Sequence, residues 1–330
     1  MLLGEMIKYL FGKKKNYNHH KQKGTMNTEK INLTQDIINL KKKRKAVFLA
    51  HNYQIPEVQE LADYKGDSLE LAKISRELDA ETIVICGVKF MAETAKILSP
   101  NKKIILPVID AGCPLADMAE PDDLVKLKEK YPDSWVVSYV NTSASVKALS
   151  DVCCTSSNAV SVVRKAPKEE IIFVPDRNLA SWVESNVPEK KIIRWPGFCP
   201  VHDIFSLDDL IQTKQKYSHA KVMVHPECRM EVLNVSDYVC STAGMLNIAH
   251  DSDIKEFIVG TEEGMIYRLE KENPQKKFYS IGFPKICQDM KKITLESLYD
   301  SLDKDIHQIE VDLEVSKKAK IALERMVKYV

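Results

Sequence analysis

Three cysteines, Cys113, Cys199 and Cys287, end three stretches built alike: NKKIILPVIDAGC, EKKIIRWPGFC and QKKFYSIGFPKIC. Each stretch follows a proline (Pro100, Pro188, Pro274), opens Pro-x-Lys-Lys, runs through short apolar sequence and stops at the cysteine. Thiolates bind soft metals, and three that meet at one point can hold an iron–sulfur cluster. A structural zinc calls for four ligands with close Cys-x-x-Cys spacing, which the chain lacks. A [4Fe–4S] cluster normally takes four thiolates, so three leave one iron open as a Lewis acid for a hydroxyl or carboxylate. That favours a dehydrating enzyme over an electron carrier; a redox sensor is the rival from another class. The other five cysteines are expected to be structural: Cys154 and Cys240 match each other but face Gly66 in the first block, and Cys86, Cys153 and Cys228 have no counterparts.

Further polar residues fall at equivalent places. Ser68, Ser156 and Thr242 lie in small-residue turns (GDSLEL, TSSNAV, STAGML) that open helices, with Asp67 and Ser241 one residue earlier. Hydroxyls there serve as N-caps or, beside free N–H groups, as phosphate and carboxylate sites. His51, Asn141 and His225 end three apolar strands and suit carboxylate or carbonyl binding. Tyr53, Tyr139 and Glu227 stand near them as acid–base groups, and His202 follows Cys199 by three residues.

The elements that must position these residues repeat. Asp63, Asp151 and Asp237 each precede an apolar run (Ile83, Ile171, Phe257) by 20 residues and a Pro-x-Lys-Lys proline by 37. The cysteines follow those prolines by 13, 11 and 13 residues. Such a register marks a triplication. Within each block three short runs without polar alternation (VFLA, TIVIC, KIILPV; WVVSYV, IIFV, KIIRW; KVMV, EFIV, KFYSI) alternate with helix-period sequence, which predicts buried parallel strands. The expected fold is α/β, a triplicated three-layer αβα sandwich with parallel sheets around a pseudo-threefold axis. The expected division is an extension and lead-in helix (1–44), three α/β repeats (45–131, 132–217, 218–291) and a C-terminal helical segment packed on the body (292–330). Parallel sheets bind ligands beyond their carboxyl ends, where the residues named above fall. The lysine pairs read as solvated strand starts.

Composition narrows the class. With 44% apolar residues the chain can bury a sizeable core, and a net charge of +1 points to neither nucleic acid nor an anionic membrane as partner. No run is apolar enough to span a bilayer, and MLLGEMIKYLF, broken by Glu5 and Lys8, does not read as a secretory signal. A cytoplasmic location is expected, where cysteines act as ligands or core residues rather than disulfides.

The motifs HNYQIPEVQ, GDSLELA, DAGCPLADM, SYVNTSA, CTSSNAV, PGFCPVHD, HPEC, STAGM and KICQDMKKITLESL together resemble those of the A-type quinolinate synthase family of NAD biosynthesis, over about residues 45 to 325. The resemblance implies condensation of iminoaspartate with dihydroxyacetone phosphate to quinolinate, with loss of phosphate and water. It implies a [4Fe–4S] cluster on Cys113, Cys199 and Cys287, whose fourth iron binds substrate oxygens and promotes loss of hydroxide. His51, Ser68, Tyr139, Val140, Asn141, Ser156, His225, Pro226, Glu227, Ser241 and Thr242 would then surround substrate. Tyr53 would assist isomerisation and ring closure, Glu227 would transfer protons, and Tyr139 and His202 would stand with them as catalytic groups. The enzyme that supplies unstable iminoaspartate is a candidate partner. Another [4Fe–4S] hydro-lyase acting on a small hydroxy acid is the alternative activity.

Overall fold

A computed structural model describes residues 32–328. The MLLGEMIKYLF stretch lies outside the described residues. After a helix over 32–43 come twelve strands in three sheets. The first holds β1 (Ala46–His51), β2 (Tyr64–Gly66), β3 (Thr82–Cys86) and β4 (Lys103–Ile105). The second holds β5 (Trp135–Tyr139), β6 (Val152–Cys154), β7 (Glu170–Val174) and β8 (Lys191–Arg194). The third holds β9 (Lys221–Val224), β10 (Tyr238–Val239), β11 (Glu256–Gly260) and β12 (Lys277–Ser280). Each sheet is parallel throughout and has its second strand at the edge beside the first: β2-β1-β3-β4, β6-β5-β7-β8 and β10-β9-β11-β12. One order occurring three times is the triplicated α/β sandwich that the spacing predicts.

Both faces of these sheets are covered. In the third, Val222, Val224 and Ile258 pack to one side while Met223, Phe257 and Val259 pack to the other. In the second, Val137, Ile171 and Phe173 face one core and Val136, Ile172 and Val174 another. Successive strand residues point to opposite faces, so a strand apolar at every position needs helices on both sides. The largest core joins the first two sheets to the C-terminal helices Leu295–Asp303 and Leu313–Lys328. Residues 306–309 also extend the first sheet: Ile105 bridges Gln308 antiparallel, and the Ile309 N–H donates to the Ile104 carbonyl at 2.8 Å.

The sequence landmarks prove to be structural devices. The carboxylates of Asp63, Asp151 and Asp237 accept the backbone N–H of Phe48, Val136 and Val222 at 2.7, 2.8 and 2.8 Å. Each clamps its short edge strand to the strand before it. The first lysine of each Pro-x-Lys-Lys pair is not solvated as expected; it reaches back past the helix just before it to the end of an earlier one, Ser68–Glu77, Ala159–Arg164 or Thr242–Asp251. Lys102 donates to the carbonyls of Ser75 (2.8 Å) and Leu78 (2.5 Å), Lys190 to those of Ala166 (2.8 Å) and Lys168 (2.7 Å), and Lys276 to those of Ala249 and Ser252. The last carbonyls of a helix lack intrahelical partners and carry partial negative charge, which an ammonium satisfies. Lys276 is buried, so Lys276→Met should leave buried carbonyls unpaired and lower stability by about 1–3 kcal/mol. The shift of the urea midpoint against wild type measures this.

Among the described residues no helix is long and apolar enough to cross a membrane.

Candidate active site

Beyond the carboxyl ends of the strands lies a cavity with an empty volume of about 690 Å³, walled by residues from all three repeats. Cys113, Cys199 and Cys287 line it, brought there by the loops after β4, β8 and β12. They stand on loops beyond the fourth strand of each repeat, not at the end of a third as the sequence suggested. Each opens a helical turn: its carbonyl accepts the N–H four residues on, from Asp117 (3.0 Å), Asp203 (2.9 Å) and Lys291 (3.2 Å). The N–H three residues on, of Ala116, His202 and Met290, points at the sulfur. Burial is the main influence on all three thiols and pushes each up, although these amides work the other way. A dry pocket with amides aimed at sulfur disfavours free thiolates but suits thiolates bound to a cationic centre. The other five cysteines do not line the cavity; Cys86, Cys153, Cys154 and Cys228 are buried, and Cys240 is half-buried.

His51 and His225 sit at equivalent positions and are held alike. The N–H two residues on, of Tyr53 and Glu227, donates to Nδ1 at 3.2 and 3.4 Å. With Nδ1 accepting, the ring proton lies on Nε2, which each histidine offers as a donor. His225 Nε2 lies 3.1 Å from Ser156 Oγ. Burial, helped by His225, holds His51 down at about 3. Its role is therefore that of a neutral hydrogen-bond donor, not a cation. Counted from the clamped amides of Phe48, Val136 and Val222, the third equivalent position is Tyr139 and not Asn141 as expected. Asn141 falls two residues later, level with Tyr53 and Glu227, and its buried Oδ1 has no hydrogen-bond partner among the described residues.

The His51 shift has a consequence for stability. The unfolded chain takes up a proton near pH 6.5 that the folded chain refuses until about pH 3, so stability is fully present above pH 6.5 and lost as pH falls through that window. At pH 5 the loss amounts to about 2 kcal/mol. His51→Asn should flatten the acid limb by about one proton, read from urea midpoints between pH 7 and 4.5.

Ser68, Ser156 and Thr242 also line the cavity. The caps are other residues: Asp67 accepts the Leu69 and Glu70 N–H groups and closes a capping box with Glu70, and Ser241 accepts the Gly244 N–H at 3.2 Å. Ser68 and Thr242 are first residues of their helices. In the second repeat Asn158 Oδ1 accepts the Thr155 N–H, and Ser156 lies in the turn. Thr242 Oγ1 accepts from Asn52 Nδ2 at 2.8 Å, so the third repeat is tied to the first.

Glu227, buried, meets His202: Oε2 lies 2.6 Å from Nδ1. Burial alone would raise the Glu227 carboxyl, but His202 and His225 outweigh it and hold it well below the usual carboxylate range. Burial likewise lowers His202, which fits an ionised Glu227 accepting from a neutral imidazole. The chain of contacts continues from His202 Nε2 to Thr261 Oγ1 (2.9 Å) and on to the Tyr53 hydroxyl (2.7 Å). Burial and then the Glu227 charge push the Tyr53 and Tyr139 phenols well up, so both are neutral donors. Cys199, His202 and Glu227 come close enough to suggest an ion-binding triad, with His202 Nδ1 3.2 Å from Cys199 Sγ. A separation of 2.6 Å between His202 and Glu227 is that of a hydrogen bond, whereas two tetrahedral ligands at ~2.0–2.1 Å from one zinc would stand roughly 3.3 Å apart.

The cavity thus gathers Tyr53, Tyr139, Glu227, His202, His51, Ser68, Val140, Asn141, Ser156, His225, Thr242 and the three cysteines. Pro226, buried between His225 and Glu227, and Ser241 do not line it. The wall also includes Val88, Phe90, Gly112, Thr155, Val201 and Met290, which residue type did not single out. Behind it, Asn52 and Thr261 are fully buried polar residues also missed from sequence, because they act across repeat boundaries.

Comparison with known proteins agrees with the motifs. A family model described as "Quinolinate synthetase A protein" matches residues 35–328. A quinolinate synthase of Thermodesulfovibrio yellowstonii is 52% identical over 293 residues, covering 89% of this chain and 97% of that protein. One from Caldicellulosiruptor bescii is 52% identical over 295 residues, 89% and 97% of the two chains. One from Clostridium perfringens is 47% identical over 298 residues, 90% and 99%.

Proposed function

The chain belongs to the quinolinate synthase family, and from that premise we propose that the cavity condenses iminoaspartate with dihydroxyacetone phosphate to quinolinate, phosphate and water. The observation that carries the reading is the convergence, from three repeats, of three cysteines with hydrogen-bonding side chains at the strand ends. The three repeats (45–131, 132–217, 218–291) each contribute one cysteine and at least one hydroxyl to it. Cys113, Cys199 and Cys287 hold a [4Fe–4S] cluster, which supplies when bound an open iron acting as a Lewis acid on a substrate hydroxyl or carboxylate.

The side chains do the rest. Two carboxylates and a phosphate ester need many donors, and the Nε2–H groups of His51 and His225, the Asn141 amide and the hydroxyls of Ser68, Ser156 and Thr242 supply them. The chemistry needs one group to take a proton from carbon beside a carbonyl and another to give one to oxygen. Glu227, held ionised, takes the first; Tyr53, held protonated, gives the second. Thr261 and His202 connect them by hydrogen bonds, which fixes both side chains relative to each other. Tyr139 adds a second neutral donor beside Glu227. The apolar wall of Val88, Phe90 and Met290 excludes water from a product that forms by losing it. The enzyme that makes iminoaspartate is the partner this chemistry requires, since the imine hydrolyses in water.

The test is anaerobic reconstitution with iron and sulfide, then incubation with both substrates. Quinolinate, read by its ultraviolet absorbance and chromatography, is expected; its absence from cluster-loaded protein overturns the reading.

A further inference from the structure

The cysteine loops carry a feature that neither the cavity wall nor the motifs disclose. The N–H of Cys199 donates to Asp176 Oδ2 at 3.0 Å, and the N–H of Cys287 to Glu262 Oε1 at 3.1 Å. Asp176 and Glu262 occupy one register position, 25 residues after Asp151 and Asp237. Both are fully buried. In the first repeat that position is Val88, which has no carboxylate to offer. There Asp289 takes over: its Oδ1 accepts the N–H of Gly112, the residue before Cys113, at 3.2 Å. Asp289 lies two residues after Cys287, so the first cysteine loop is tied to the third.

Lysines lock two of these carboxylates. Lys291 pairs with Glu262 at 2.8 Å and donates to the Tyr53 carbonyl at 2.6 Å. Lys292 pairs with Asp289 at 2.8 Å and donates to the Asp110 carbonyl at 2.6 Å. Asp176 is fixed differently: its Oδ1 accepts the Leu179 N–H at 2.7 Å and so caps helix Arg177–Asn186.

We propose that Asp176, Glu262 and Asp289 are positioning residues for the cysteine triad, each fixing one cysteine loop through a backbone amide. The proposal rests on the reading of the three cysteines as ligands of one iron–sulfur cluster. A hydrogen bond from an amide to a carboxylate is short and directional, and a buried carboxylate without its donors is costly. Holding the amide at the cysteine fixes the backbone there, and with it the direction of Cα–Cβ and the reach of the sulfur. A cluster needs all three sulfurs at once, so one slack loop loosens it. Partners behind metal ligands typically matter by about 10–100-fold in metal affinity.

The experiment compares full-length Asp176→Ser, Glu262→Leu and Asp289→Ala with wild type, all reconstituted anaerobically. Serine at position 176 is a strong N-cap and keeps the helix start, but is too short to reach the Cys199 amide as well. Leucine at 262 and alanine at 289 offer no acceptor, so the Cys287 and Gly112 amides lose Glu262 Oε1 and Asp289 Oδ1, the oxygens that Lys291 and Lys292 also meet. The first readout is the rate of iron transfer to a chelating dye without substrate; the second is the melting midpoint of the metal-free proteins. The variants are expected to release iron roughly 10–100-fold faster than wild type, with Asp176→Ser melting like wild type when metal-free. Release at the wild-type rate from folded variants overturns the proposal. If a buried-site variant does not fold, Asp289→Ala decides alone, because the Asp289 side chain is partly exposed and caps no regular helix. If wild type itself takes up no cluster, the underlying reading fails and the proposal falls with it.

Discussion

Replacing Cys113, Cys199 or Cys287 by Ser is expected to strip the bound iron and to lower quinolinate formation by roughly 10³-fold or more. The size follows from what a Lewis-acid metal contributes, several kcal/mol of transition-state stabilisation, at 1.36 kcal/mol per factor of ten. Serine is nearly isosteric, so the fold should persist, but its hydroxyl is a far poorer ligand for iron than a thiolate. Burial sharpens the contrast, because a pocket that already raises thiols disfavours an alkoxide more strongly. Cys240→Ser is the control: half-buried and away from the cavity wall, it should leave the iron count and turnover at wild-type values. Iron and sulfide analysis beside steady-state rates checks all four variants. Equal iron in wild type and Cys287→Ser would remove Cys287 from the ligand set.

Much of this architecture is legible in the sequence because it is written three times. The interval of 37 residues from Asp63, Asp151 and Asp237 to the next proline aligns the blocks without any structural knowledge. The clamp from each aspartate to the first strand explains why that residue recurs at that place. The edge strands β2, β6 and β10 were not legible. They are only two or three residues long, and YKG, VCC and YV carry no common strand signal. The capping lysines were misread for a related reason: a lysine beside a strand start looks solvated unless the helix end above it is known. Tyr53, Glu227 and the cysteines could be singled out by type and register. Thr261 and Asn52 could not, because their partners lie in other repeats and only the closure of the three units brings them together. The carboxylates behind Cys199 and Cys287 do have a signal in the register, yet Val88 breaks it in the first block, so repetition alone would have passed it over.

The remaining large effect concerns Glu227. Glu227→Gln should lower turnover by roughly 10²–10⁴-fold while changing ligand binding little. The amide is isosteric with the carboxylate, and its Oε1 can still accept the proton that His202 holds on Nδ1. The contact chain through Thr261 to Tyr53 therefore survives, and only the charge and basicity at the end of it are removed. Tyr53→Phe provides the complementary case, since it keeps Glu227 and removes the donor, leaving Thr261 and His202 in contact. If the two residues act as base and acid on the same proton transfers, the double variant should cost little more than the worse single one, because a path missing either end is already closed. Measured kcat values for the two single variants and the double decide it, with calorimetric binding of a dicarboxylate product showing that the site remains formed. Full additivity of the two losses would mean that Glu227 and Tyr53 serve separate steps.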